Sequence, residues 1–395
     1  MVDTAAATRP TIVVVGMLAS PHLARWLHAR RNESVNVILF ASTPFRAPHR
    51  LIEELVNGKY ELNCEVWSYR FAAPPTHSFI QRFTRERRRA RELHKVCAQT
   101  NPALIHAVEL QHGGYIAARA LRAMNSHERP PLSIVNWGSD IFWFQRFSRH
   151  RKKLSNLLSM ADLYSCECNR DVSLAENLGF TGISLNPSPN CGGVEPIDSE
   201  GSRPLTDRNS IAIKGYSRFV GKAHWFLFAW LMKNPKTKDL SLEIFSASLV
   251  CRALSNLIAK RNHNVTVHCF SPGSLKPHEM AELFSRSRAY VGFSQSDGLS
   301  TSLLEALAAG SICSQTSSAC IEDLTQRGFS LIALDYRKPF HAVQEVLRAY
   351  HSPEEFQSQV TSNQKLAQEL LTPESVAALA PTIEDLISQA RSTRC

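Results

Sequence analysis

The chain has 395 residues, 44% of them hydrophobic and 20% charged, with a formal net charge of +10. This is an ordinary globular composition, and the length exceeds what one hydrophobic core organises, so two domains of somewhat under about 200 residues each are expected. No apolar run reaches the ~18–20 residues that span a bilayer. The opening MVDTAAATRPTIVVVGM has neither a cationic n-region nor a cleavage site, so no signal peptide is expected.

In chain order, TIVVVGM (11–17) reads as a buried strand, HLARWLHAR (22–30) as a helix and VNVILFAS (35–42) as a second strand. NPALIHAVEL (101–110), PPLSIVNW (130–137) and ADLYSCEC (161–168) continue as short strands separated by polar or helical sequence. Around 184–210 the pattern dissolves into Pro, Gly, Ser and Asn, the best linker candidate in the chain. The alternation restarts with strands SIAIKGY (210–216), LSLEIFSA (240–247), NVTVHCF (264–270), RAYVGFS (288–294), GSICSQT (310–316) and FSLIALD (329–335). Helices AHWFLFAWLMK (223–233) and TSLLEALAAG (301–310) lie between them, and the C-terminal stretch is helical. The result is an α/β chain of two doubly wound parallel sheets, whose ligands bind beyond the carboxyl ends of the strands.

The ten cysteines have no paired spacing. The nearest, Cys166 and Cys168, do not fit a zinc knuckle. All ten are read as small buried apolar residues in a reducing compartment, which places the protein in the cytoplasm. Charge is uneven. Residues 76–155 hold fifteen Lys or Arg and five Asp or Glu, a net of +10, so the rest of the chain sums to zero. A local basic region of this kind indicates a surface facing something anionic.

The chemistry concentrates in YVGFSQSDGLSTSLLEALAAGSICSQTSSACIEDL (290–324). A strand ends at Ser294, a loop carries Asp297 and Gly298, and a helix starts near Leu299 or Ser300. The amides and dipole of such a helix favour a diphosphate, and Gly298 lets the backbone approach it closely. Glu305, eight residues after Asp297, lies two turns along and is placed to hold nucleoside hydroxyls. A strand–loop–helix of this kind is equally consistent with a plain capped helix packed on a sheet.

This segment resembles the signature of retaining GT-B glycosyltransferases, in particular glycosyltransferase family 4, with its two carboxylates eight apart and LEAxAxG. Here it reads SDGLSTSLLEALAAG, with Asp297 where the family usually has Glu, and Glu322 ends the next matching segment. The resemblance covers roughly residues 10–335. TIVVVGMLASPHLARWLHAR is similar to the opening strand, Gly loop and first helix, with Gly16 donor-facing and His22 and Arg25 on the acceptor side. IVNWGSDIF is similar to a later strand end.

Two departures follow. Trp137 stands where many relatives have His, which leaves His112 and Asp140 as catalytic candidates beside Asp297. The family's diphosphate-binding Arg and Lys correspond to Arg218 and Lys222 in IAIKGYSRFVGKAHWF, with Lys214 as a competitor and with unusual spacing.

The resemblance implies a metal-independent hexosyl transfer from a nucleotide-sugar donor with retention of configuration. It implies no cofactor, and a glycan or lipid-linked acceptor of surface polysaccharide synthesis. It assigns residues 1–200 to an acceptor-binding domain, 201–375 to a donor-binding domain, and 376–395 to a helix crossing back to the first. The pattern QRFTRERRRARELHK (81–95) is a helix with Arg82, Arg85 and Arg89 among cations nearly all round, and RHRKK (149–153) extends it. No nucleic-acid motif or aromatic ladder accompanies it, so nucleic acid is not expected, and an anionic membrane face fits better. An inverting transferase, a sugar-nucleotide epimerase and a non-catalytic nucleotide-binding protein of the same fold stay open as alternatives. GMLASP (16–21) does not make the GxGxxG turn of an oxidoreductase.

Overall fold

The computed structural model describes residues 9–44, 47–67, 79–195, 203–217, 219–237 and 239–394. The chain divides into two compact units, Met1–Gly192 with Ala377–Cys395, and Gly193–Val376.

The first unit is a seven-stranded sheet whose described pairings are all parallel. Its strands are β1 (Thr11–Gly16), β2 (Asn36–Ala41), β3 (Asn63–Val66), β4 (Leu104–Val108), β5 (Leu132–Val135), β6 (Leu163–Ser165) and β7 (Ile183–Ser184), in the order β3-β2-β1-β4-β5-β6-β7. The five strands read from the sequence are all present. The two missing from that reading, β3 and β7, are the sheet's edges. An edge strand has one neighbour and less buried surface, so NCEV and IS need no β-branched run.

Helices α1 (Pro21–Ala29), α2 (Arg50–Val56), α3 (Phe79–Thr100), α4 (Tyr115–Arg122), α5 (Ser148–Leu158) and α6 (Asn169–Asn177) belong to this unit. Both faces of β1 are covered. Val13 and Val15 sit in one core with Leu93, Leu121 and Leu157, while Ile12 and Val14 sit in the other with Leu23 and Leu27.

The basic surface needs a correction. Arg89 is buried and donates to the Ala41 carbonyl at 2.9 Å, so it stitches α3 to the end of β2 and is not part of an exposed cationic face. Glu86 on α3 pairs with Arg119 at 3.0 Å and also with Lys153, neutralising part of the charge on α4 and α5. Arg87, Arg88 and Arg91 remain exposed, while the side chains of Arg82 and Arg85 lie outside the described residues.

The second unit is a six-stranded parallel sheet, β8 (Ser210–Lys214), β9 (Leu240–Phe245), β10 (Val265–Cys269), β11 (Ser287–Gly292), β12 (Ile312–Thr316) and β13 (Ile332–Leu334), ordered β10-β9-β8-β11-β12-β13. Each of the six expected strands forms. Helices α7 (Ala223–Lys233), α8 (Leu249–Arg261), α9 (Pro277–Arg286), α10 (Thr301–Ala308), α11 (Ile321–Gln326), α12 (Pro339–His351) and α13 (Gln357–Leu370) cover it. Trp230, Phe226 and Leu227 of α7 are fully buried against Ile211, Ile213 and Leu242 of the sheet.

At the boundary Gly192 and Gly193 both take positive φ, 73° and 93°. A Cβ on Gly193 would stand 2.6 Å from the Pro373 backbone nitrogen, so only glycine fits there.

The chain passes through α14 (Pro373–Leu379) into α15 (Ile383–Ser392). Ile383, Leu386, Ile387 and Ala390 of α15 join the same core as Ile12, Val14 and Leu104, so this helix completes the first unit. Its end is locked by a bidentate pair in which Arg394 donates to both Asp162 oxygens at 2.8 Å, and Asp162 also accepts from the Leu132 amide at 2.7 Å. No helix among the described residues is long and apolar enough to cross a membrane.

Asp162→Ala strands the buried Leu132 amide and takes from Arg394 its carboxylate partner, leaving only the Arg129 and Pro130 carbonyls. It should therefore lower the urea unfolding free energy by about 2 kcal/mol. Arg337→Ala removes only an exposed, salt-screened ion pair and should leave the unfolding free energy unchanged within error in the same measurement.

Candidate functional site

In the second unit strand order reverses between β8 and β11, and ligands of doubly wound sheets bind at such a switch point. Lys214 is the last residue of β8, and the loop from Phe293 to Ser300 leaves β11 beside it. The Lys214 ammonium donates to Asp297 Oδ2 at 3.0 Å and to Ser300 Oγ at 2.8 Å. From Ser300 the chain of contacts runs to Ser302 Oγ at 3.0 Å and on to the Tyr290 hydroxyl at 3.1 Å. Burial alone would push the Lys214 pKa down, but the Asp297 carboxylate outweighs it and holds the ammonium above its ordinary value. The Lys214 and Asp297 side chains keep 27% and 28% of their surface, so the pair is screened far less than a surface ion pair.

This arrangement decides how α10 begins. Ser300 is its N-cap, yet its hydroxyl makes no capping bond to the first-turn amides, because it serves Lys214 and Ser302. Asp297 Oδ1 accepts from the Gly298 amide at 3.0 Å, which fixes the turn into the helix. Leu299 is buried and anchors that turn. Glu305 lies on the second turn, partly exposed, and Glu322 is exposed in the first turn of α11. A backbone bridge joins Gly221 to Ser294, with the Lys222 amide donating to the Phe293 carbonyl at 2.9 Å and the Gln295 amide to the Val220 carbonyl at 2.7 Å. The loop carrying Lys222 is therefore tied to the loop carrying Asp297. The Lys222 ammonium sits 5.1 Å from the Trp225 ring centroid and donates to the Phe219 carbonyl at 3.5 Å. Arg218 lies outside the described residues.

Two residues here escaped the sequence reading. Gln315 on β12 is buried, and neither atom of its amide has a hydrogen-bond partner among the described residues. It fills the space beside Gly292, where a Cβ would fall 1.6 Å from Gln315 Oε1. Tyr290 is fully buried, and burial pushes its pKa up.

In the first unit the order reverses between β1 and β4. Gly16 ends β1, and Ser20 caps α1 by accepting from the His22 amide at 3.2 Å. The His22 ring meets Trp137 edge-on at 5.2 Å, and Arg25 reaches the Cys191 carbonyl at 3.5 Å. Beyond β4 stands a residue without a signal in the sequence, Glu109. It is buried with φ of 67°, a strained backbone for a residue with a side chain. Its carboxylate accepts from the His112 amide at 2.8 Å and contacts His112 Nδ1 at 3.1 Å, which shapes the π-turn Leu110–Gly114. Asp140 Oδ2 accepts from the Leu110 amide at 2.9 Å and the Trp137 amide at 3.1 Å, clamping the loops after β4 and β5 together. Burial first, and the Glu109 charge second, push the Asp140 pKa up to about 8. His112, Asp140 and Glu109 thus form one cluster in this unit, and Lys214, Asp297 and Ser300 another in the second.

No protein-family model matches the sequence, and no curated protein matches it. Solved structures do. The Anabaena protein Alr3699/HepE in complex with UDP and glucose superposes with a TM-score of 0.65 at 13% identity, over 95% of this chain and 99% of that one. The sucrose-phosphate synthase of Thermosynechococcus elongatus gives 0.69 at 12% identity, over 97% and 100%. The α,α-trehalose 6-phosphate synthase of Burkholderia multivorans gives 0.65 at 10%, over 98% and 99%. The fold is GT-B. In GT-B terms both clusters occupy the carboxyl-end edges of their sheets, where the fold's ligands are expected.

A raised carboxyl pKa means the folded protein holds a proton that the unfolded chain releases near pH 4. Stability contributed by neutral Asp140 is full below that and is lost as pH rises through about 8. Asp140→Asn keeps an acceptor for both amides and cannot ionise. The wild type should therefore lose stability relative to Asp140→Asn between pH 5 and 8 in urea denaturation. Parallel pH profiles would show that Asp140 is already ionised.

Proposed function

We infer that the chain is a glycosyltransferase that moves a sugar from a nucleotide-sugar donor to a glycan or lipid-linked acceptor, without a metal and with retention of anomeric configuration. The observation that carries this reading is the Lys214–Asp297–Ser300 constellation, at the switch point of the second sheet and at the start of α10. The Anabaena relative binds UDP and UDP-glucose, which supports a nucleotide sugar as donor.

The chemistry follows from charge. Breaking the anomeric C–O bond leaves negative charge on the departing diphosphate, and catalysis consists of stabilising it as it develops. In this reading the diphosphate lies against the first turn of α10, at Gly298, Leu299 and Ser300. Lys214, Lys222 and Arg218 supply positive charge. Glu305 accepts from nucleoside hydroxyls, and Asp297 faces the sugar. When the diphosphate arrives Lys214 gains a second anion, so part of its bond to Asp297 is released for a sugar hydroxyl. Retention fits a front-side path, in which the leaving phosphate takes the acceptor proton. Gly16 faces the donor, His22 and Arg25 form the acceptor side, and His112 and Asp140 are catalytic candidates along with Asp297; a neutral Asp140 can donate a hydrogen bond and a carboxylate cannot. The exposed arginines of α3 supply attraction to an anionic surface, each worth about 1 kcal/mol near charged lipid.

A thermal-shift panel of UDP, GDP, ADP and dTDP sugars tests the donor site. One donor should stabilise the protein, and Glu305→Ala should abolish that shift. Lys214→Ala should weaken donor binding by at least about tenfold, the loss of one charge-assisted hydrogen bond. Undiminished shifts in both variants would place the donor elsewhere.

A further inference from the structure

The second unit carries an apolar face that its own core does not use. On α7 Trp225, Phe228 and Met232 are 39%, 49% and 50% exposed and follow i, i+3, i+7 spacing, so they form one stripe. On α8 Leu249, Val250 and Leu257 are 75%, 54% and 49% exposed. Successive strands β8, β9 and β10 step in one direction across the sheet. Right-handed crossovers therefore lay α7 and α8 side by side on the same face. Their inner sides fill the core with Phe226, Trp230, Cys251 and Ile258, so the exposed residues are the outer sides of adjacent helices.

Phe219, in the loop before α7, is 78% exposed with φ of 51°. A bulky side chain in a left-handed backbone is costly, and this one is also solvent-exposed.

We propose that this face docks onto an anionic lipid surface, with Phe219 and the outer stripes of α7 and α8 entering the headgroup region. Charge selects the occupant. Residues 219–261 contain seven Lys or Arg and two acids, Asp239 and Glu243. Glu243 is buried and paired with Arg286 at 3.0 Å, which leaves Asp239 as the exposed acid of that stretch. Lys222 stands just before α7, and Lys233, Lys236, Lys260 and Arg261 stand at the C-terminal ends of α7 and α8, so cations flank the stripe at both ends. Apolar residues flanked by Lys and Arg are the composition of interfacial helices, whereas a second copy would bring the same positive charge against itself. The helices also have the right polarity. Both begin at the carboxyl edge of the sheet, the edge that holds Lys214 and Asp297. Docking there sets the donor site next to the lipid surface. The placement rests on the reading of a transferase with a lipid-linked acceptor, but the docking itself is measured without donor or acceptor.

The test is vesicle flotation of the full chain, with phosphatidylglycerol-containing vesicles and with pure phosphatidylcholine. Three proteins are compared: the wild type, Phe228→Ser/Leu249→Ser/Val250→Ser, and Arg87→Glu/Arg88→Glu/Arg91→Glu on α3. The wild type should float with the anionic vesicles, and the apolar variant should partition at least about tenfold less, at low and high salt alike. The α3 variant should lose only salt-sensitive binding. The apolar variant should keep its wild-type donor thermal shift, which separates a failed surface from a failed donor site. Wild-type partitioning by the apolar variant, or a wild type that floats with neither vesicle, overturns the proposal. So does a wild-type dimer that the apolar variant dissolves while vesicle binding stays unchanged.

Discussion

The ion pair between Lys214 and Asp297 is the constraint on which the second unit's site depends. It joins the end of one strand to the loop after its neighbour across the point where strand order reverses. Because Lys214 also engages Ser300, the hydroxyl that would cap α10 is diverted, and the helix start is shaped by an ion pair where a cap would ordinarily sit. A half-buried cation of this kind is retained at a desolvation cost that Asp297 offsets. In the proposed reading an arriving diphosphate shares in that compensation, so the pair that shapes the loop is also part of the donor site.

The first unit solves a parallel problem with the opposite charge. Its switch-point loops are organised by two buried carboxyls, Glu109 and Asp140, that take backbone amides as partners. Two adjacent buried carboxyls cannot both ionise cheaply, and the proton settles on Asp140. The first unit's edge thus carries a protonated carboxyl beside a second, amide-bound carboxyl, while the second unit's edge carries a carboxylate paired with an ammonium.

Much of this was legible in the sequence, for definable reasons. Central strands such as TIVVVG and SIAIK are buried on both faces and must be apolar at every position, so they stand out. The edge strands NCEV and IS carry no such demand and did not. The Asp297–Glu305 segment was visible as a strand, a turn and a helix start, and Lys214 was visible as a cation at a strand end. Its bond to Asp297 was not, because it spans 83 positions and depends on sheet order. Arg89 was misread as surface, since a helical wheel shows charge but not the Ala41 carbonyl that buries it. Glu109 gave no signal, because nothing in a sequence announces a non-glycine residue with positive φ.

In the proposed reading the first turn of α10, beside Lys214, receives the donor diphosphate. Amide hydrogen exchange with saturating UDP, GDP or ADP reads this directly, because bound phosphate oxygens protect the amides they accept from. The nucleotide that binds should slow exchange across Gly298–Ser302, and Lys214→Ala should remove the protection. Binding of any of the three that leaves those amides unprotected, or protects them equally in Lys214→Ala, would contradict it.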